Sequence, residues 1–275
     1  MRTSWVGLVL GLAALLMLAS ASGREYSIQL SLTEQELEWV GQQVFRNECA
    51  GRRECLVHWN RGEAFPSLGI GHFIWYPEGV SGPFVESFPT LIRHMQDRSA
   101  AVPEWLNKTP VPGAPWADRA QFLASADSNR IEALRAFLAD TKGEQAAFIV
   151  GRARESLEKI IAAAPSARQA SIRQQLEALS KTPGGTYAVI DYVNFKGEGL
   201  SPTERYEGQG WGLLQVLLAM SDSADSPVLP RFRAAAAEVL TRRAHNADKP
   251  IERERWLPGW LKRLETYREP GESGG

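Results

Sequence analysis

TEQELEWVGQQVFRNEC (residues 33–49), followed closely by LVHWNRGEAFPSLGIGHFIW (56–75), sets an amphipathic helical pattern directly before a short β-rich stretch. Thr33-Glu34-Gln35-Glu36 is a capping box, in which a Thr hydroxyl and a Glu carboxylate each satisfy a free backbone N–H at a helix start. Leu37, Val40, Gly41, Val44 and Phe45 follow at helical spacing. This predicts a helix over about 33–47, ending at Asn47-Glu48-Cys49-Ala50-Gly51. Over 55–76 short runs of Leu, Val, Trp, Phe and Ile are broken by Asn60-Arg61-Gly62 and by Gly69 and Gly71, the pattern of a small antiparallel sheet. A β-hairpin is therefore expected after the first helix.

Outward from this pair the chain is mostly helical in pattern. Residues 77–117 are rich in Pro, Gly, Trp and Ser and predict an irregular stretch with one short helix near Phe88–Met95. From 118 to 181, Ile131, Leu134 and Leu138, then Leu157, Ile160 and Ile161, fall at helical spacing and predict three or four helices, with breaks at Pro165 and Pro183-Gly184-Gly185. Thr186–Phe195 (TYAVIDYVNF) is apolar nearly all round, as a buried helix is, and Lys196-Gly197-Glu198-Gly199 reads as a flexible exit from it. Two amphipathic helices near 228–245 and 251–267 close the pattern. The expected fold is α+β and mostly helical, in one domain over 25–268, with 269–275 a disordered tail.

Composition narrows the function. The 275 residues carry 31 basic and 32 acidic side chains and are 44% hydrophobic, which excludes a disordered chain and a coiled coil. A net charge of −1 argues against a nucleic-acid binder that relies on phosphate neutralisation. After Met1-Arg2, an uncharged apolar run from Trp5 to Leu18 leads to Ala19-Ser20-Ala21, the pattern of a cleaved secretory signal over 1–21. The run is short of the ~20 residues that span a bilayer, so no membrane span is expected after cleavage. The expected location is secreted, periplasmic or cell-wall associated. Cys49 and Cys55 are the only cysteines, and in an exported chain such a close pair reads as one local disulfide. A metal site would need further ligands, with His58 the nearby candidate, and neither metal nor cofactor is expected.

The acidic helix end at Glu48, the hairpin and Ser67-Leu68-Gly69-Ile70-Gly71-His72 together resemble the phage-type lysozymes, in which a catalytic Glu precedes a hairpin ending in Thr-x-Gly-x-Gly-His. The resemblance covers about 33–76, with Ser67 in place of Thr. It implies a lysozyme-like fold with Glu48 as general acid and Ser67 beside the reacting sugar. His72 is more often structural in such proteins and is kept as a candidate substrate contact. A carboxyl held against a partly apolar wall can donate a proton to a glycosidic oxygen. The glycines would let the backbone approach a ligand closely.

The family's second carboxylate, six residues before the Thr, is replaced by Arg61. Glu54 and Glu63 are the nearest acids, and Glu63, four residues before Ser67, is the candidate to orient water. A lytic transglycosylase would need only one acid/base, because a hydroxyl of the sugar itself closes on the anomeric carbon.

Farther on, Gly210-Trp211-Gly212-Leu213-Leu214-Gln215 is similar to the Gly-Leu-Met-Gln motif of soluble transglycosylases, with Glu198 upstream at about the interval of their acid. Asn194, Glu198, Trp211 and Gln215 are thus expected to form the opposite wall of a cleft, Glu198 being the second choice for the acid. The alternative for the Trp211–Leu218 run is an ordinary buried helix, and Trp256 and Trp260 are read as packing the last helix. The function expected from the resemblance is cleavage of β-1,4 bonds in peptidoglycan or another β-1,4-linked amino-sugar polymer by a monomer. A chitosan- or chitin-cleaving relative, or a non-catalytic wall-binding or assembly protein on the same fold, is the alternative.

Overall fold

The computed structural model describes residues 32–82, 84–126, 128–221 and 226–272. The expected signal segment 1–21 lies outside the described residues. The described chain is mostly helical with a small antiparallel sheet. Helix α1 (Glu34–Cys49) starts on the expected capping box. Thr33 Oγ1 accepts from the Glu36 N–H, and the Glu36 carboxylate accepts from the Thr33 N–H at 2.8 Å. Val40, Gly41, Val44, Phe45 and Cys49 make its buried face, which packs chiefly on α5 (Lys142–Ala163) and α7 (Pro183–Lys196). At Gly41 a Cβ would lie 2.4 Å from the Lys142 carbonyl oxygen, so only glycine lets α1 and α5 come this close.

A 3₁₀ turn at Arg53–Leu56 leads into β1 (Val57–His58), β2 (Ser67–Leu68) and β3 (Phe73–Ile74), paired antiparallel in that order with Val57 opposite Leu68 and Ser67 opposite Ile74. The strands are two residues each because aromatic packing holds the region more than the ladder does. Trp59 and Trp75 are fully buried, and Trp75 lies against Phe88, Trp105 and Trp116 while its indole N–H donates to the Pro112 carbonyl at 2.9 Å. The irregular stretch 77–117 is thereby anchored to the sheet. It carries the expected short helix as α2 (Phe88–Asp97).

The region read as three or four helices has four: α3 (Arg119–Ala124), α4 (Asn129–Asp140), α5 and α6 (Ser166–Leu179). Pro165 separates α5 from α6 as expected, and the chain breaks again between α6 and α7, where Pro183-Gly184-Gly185 forms the first turn of α7. Proline suits the first helical position because its missing N–H has no helical partner there. The two glycines admit the Arg268 and Leu179 carbonyls, each within 2.5 Å of where a Cβ would stand. Helix α7 is buried from Gly184 to Tyr192 and forms the axis of the domain, against which α8 (Leu213–Ala219), α9 (Val228–Asn246) and the chain end pack. The final segment is a π-helical turn at Glu252–Trp256 continuing into α10 (Leu257–Leu264). Glu269, the first residue of the expected tail, accepts from Thr182 Oγ1 and the Gly184 N–H at the start of α7. No helix among the described residues is long and apolar enough to cross a membrane.

Candidate functional site

Glu48 stands in the last turn of α1, its side chain 15% exposed, where α1, the hairpin, α7 and α10 converge. Its Oε1 accepts from Arg263 Nη2 at 2.5 Å and from Asn194 Nδ2 at 3.1 Å, and its Oε2 is 4.0 Å from His72 Nδ1. Arg263 is shared. Its Nε and Nη2 donate at 2.8 Å to the two oxygens of Asp191, a carboxylate wholly buried on α7. The Tyr267 hydroxyl donates to Asp191 Oδ2 at 2.7 Å, and Asn47 Nδ2 reaches Asp191 Oδ1 and the Tyr187 hydroxyl. Asp191 therefore has its lone pairs filled by an arginine, a tyrosine and an asparagine, the condition under which a charge survives burial.

Burial pulls the Arg263 guanidinium toward neutrality, but the hydrogen bonds and charge of Asp191, then of Glu48, more than reverse this and hold it charged above its ordinary value. Burial, with the adjacent Asp191 charge, pushes the Tyr187 and Tyr267 hydroxyls up, so both stay protonated donors.

Two cavities lie beside this cluster. One, of about 470 Å³, lies on the hairpin side and is lined by Glu48, Arg52, Glu54, Cys55, His58, Asn60, Ser67 and His72. The other, of about 370 Å³, lies between α1, the hairpin, α5 and α7, and its lining includes Gly71, Asp191 and Asn194. Asn194 and Gly71 border one cavity, and their partners Glu48 and His72 border the other. Of the residues expected from the sequence, Glu48, Ser67, His72 and Asn194 are thus brought together. His72 holds a left-handed φ of 47°, a conformation unusual for a non-glycine residue, and its Nε2 is 3.8 Å from Cys55 Sγ. Cys49 and Cys55 form the expected disulfide, with Cα atoms 5.4 Å apart, which ties the chain leaving Glu48 to the floor of the first cavity. The two sulfurs lie within metal-ligand reach of His72, but a disulfide offers no thiolate.

The remaining candidates fall elsewhere. Glu63 lines neither cavity; its carboxylate accepts from Asn60 Nδ2 and its carbonyl from the Trp59 indole, closing the Asn60–Glu63 turn. In the hairpin-side cavity the carboxylate besides Glu48 is Glu54. Trp211 is buried (8% exposed), under the Arg243 guanidinium at 4.0 Å and against Tyr206, so it belongs to the packing of α8 and α9 rather than to a sugar-binding wall. Gln215 is a bolt. Its Oε1 accepts from the Gly212 N–H and its Nε2 donates to the Gly199 carbonyl, pinning the loop after α7 to the start of α8.

Glu198 rides on that pinned loop, whose carbonyls at Gly197 and Glu198 accept from Leu213 and Leu214, and it lines neither cavity. The loop is not the flexible exit expected. The glycines of the hairpin also serve the protein itself: Gly69, at φ 67°, leaves room for buried Gln145, whose Oε1 accepts from the Ile70 N–H, and Gly71 clears the Phe73 ring. No protein-family model matches the chain, and no curated protein or solved structure is significantly similar to it.

Arg263 and Asp191 are the site residues that sequence reading passed over. Asp191 is the one charge within the apolar run TYAVIDYVNF, and a lone carboxylate in a buried helix demands a buried partner.

Proposed function

We propose that this chain is an exported glycosidase of the lysozyme-like kind that cleaves β-1,4-linked amino-sugar polymers with Glu48 as the proton donor. The observation that carries the reading is the position of Glu48: a helix-end carboxylate on the wall of a cavity, fixed by Arg263 and Asn194 and sharing that wall with Ser67 and His72.

One guanidinium, that of Arg263, serves both Glu48 and the buried Asp191. Asn194 and Arg263 both donate to Glu48 Oε1 and fix the carboxyl group, so that little reorganisation is needed when a glycosidic oxygen arrives beside Oε2. Glu54 is the other carboxylate lining the hairpin cavity, and it, rather than Glu63, is the candidate to orient water in a hydrolytic step.

The test is Glu48→Gln, which keeps the shape and removes the proton. Release of sugar ends from purified peptidoglycan should fall by about 10²–10⁴ while binding persists. Mass spectrometry of the parent protein's products separates reducing ends from anhydro ends. If purified parent protein binds the polymer and cuts none of it, the chain is a wall-binding protein and the glycosidase reading fails.

A further inference from the structure

Helix α5 contributes a charged edge to the cavity beside Glu48 that the proposed chemistry does not use. The floor of that cavity is apolar: Val44 of α1, Phe73 of β3, Ile149 of α5 and Ile190 of α7 line it. Its edge carries Arg152, Ser156 and Lys159, at i, i+4 and i+7 on α5 and hence on one face, with the two cations roughly 10 Å apart along the axis. Neither cation forms an ion pair among the described residues, and Arg152 rests its guanidinium 5.7 Å from the Phe148 ring one turn back. Glu155 offsets one of the two charges. The only other carboxylate on the lining, Asp191, is already neutralised by Arg263. The cavity therefore presents a greasy floor and a net positive edge.

We propose that this cavity is a binding subsite for an N-acylated sugar bearing an acidic substituent such as a peptide, with the acyl group on the apolar floor and a carboxylate of that substituent between Arg152 and Lys159. This rests on reading the cleft as a glycan site and commits it to an acidic, acylated glycan such as peptidoglycan strands. A de-acetylated, cationic polymer such as chitosan meets like charge at the edge and lacks the acyl group that would cover the floor. A neutral acetylated oligomer covers the floor and leaves the two cations unpaired.

The experiment measures binding, by calorimetry, of three soluble probes to the intact protein: a muramyl-peptide disaccharide, acetylated chitobiose and its de-acetylated form. The parent should bind the muramyl-peptide roughly fivefold to tenfold more tightly than acetylated chitobiose, as two exposed charge contacts allow, and the ratio should shrink as salt rises. The de-acetylated probe should bind weakest. Arg152→Ala/Lys159→Ala should bring the muramyl-peptide down to the acetylated disaccharide and leave the latter unchanged. Both side chains stand at the surface, so the thermal midpoint should hold and serves as the folding control.

Equal affinity of the parent for the two acetylated probes, or an equal loss of both in the double variant, overturns the proposal. The binding preference does not depend on cleavage. A parent that binds with this preference but never cuts keeps the subsite and loses the glycosidase reading, whereas a parent that binds none of the probes overturns both.

Discussion

Arg263→Met is the most informative single change, because it removes the one cation that two carboxylates share while filling most of the same volume. Asp191 has no exposure and would be left charged in the core with only Tyr267 and Asn47 as donors. Removing one partner of a buried pair costs about 3–5 kcal/mol. The lower end applies here, since Glu48 faces a cleft and regains water when its arginine goes. A loss of about 3 kcal/mol in a domain of this size lowers the melting temperature by roughly 6–12 °C.

The decisive measurement is a double-mutant cycle with Asp191→Asn, followed by urea unfolding. If Arg263 is needed mainly to neutralise Asp191, the charge removed by the amide makes the second substitution cheaper, and the pair should couple by at least about 1.5 kcal/mol. Additivity within about 0.5 kcal/mol, or a loss below about 1 kcal/mol for Arg263→Met alone, would show that the cluster does not hold the site in the way described.

Trp211→Ala should destabilise by about 3–5 kcal/mol through the cavity it leaves under Arg243, with sugar affinity unchanged once the protein is folded; calorimetric binding alongside a denaturation curve checks both. Lys196 supplies a pH signature. Burial first, and then the nearby Arg243, pull its ammonium down to about 7 from the ordinary 10.5, although it lies 3.5 Å over the Trp260 ring. Between those values the unfolded chain holds a proton that the folded chain does not, so stability rises with pH from about 7 to 10.5. Lys196→Met should flatten that slope in unfolding curves taken across the range.

Local signals were the ones legible in the sequence. The capping box at Thr33, the apolar stripe of α1, the break at Pro165 and the close cysteine pair each depend on neighbours a few residues away, and the structure carries them all. Glu48, Ser67 and His72 could be grouped because helix end and hairpin are adjacent in the chain. What escaped depends on distant partners. Trp211 and Gln215 look like a ligand-binding motif, and only the position of Arg243 on α9 and of Gly199 after α7 shows them to be packing and a hydrogen-bonded bolt. Gly69 likewise serves Gln145, 76 residues on, rather than a ligand. Glu63 and Glu54 are both close to Ser67 in sequence, and the turn at Asn60–Glu63, closed by its own side chains, turns the former away.

The bond between Glu48 and Arg263 joins positions 215 residues apart. A ribosome that has made α1, the hairpin and α7 has made every residue that touches the cleft except the one that neutralises Asp191, and that residue comes in the last helix. Closing so long a loop adds little entropy over a loop half as long, because the penalty grows only with the logarithm of length. The consequence is one of timing: the site stays unassembled until residue 263 has been made and has come free of the ribosome. A chain truncated before residue 263 keeps the Glu48 and Asp191 carboxylates and lacks the guanidinium that joins them.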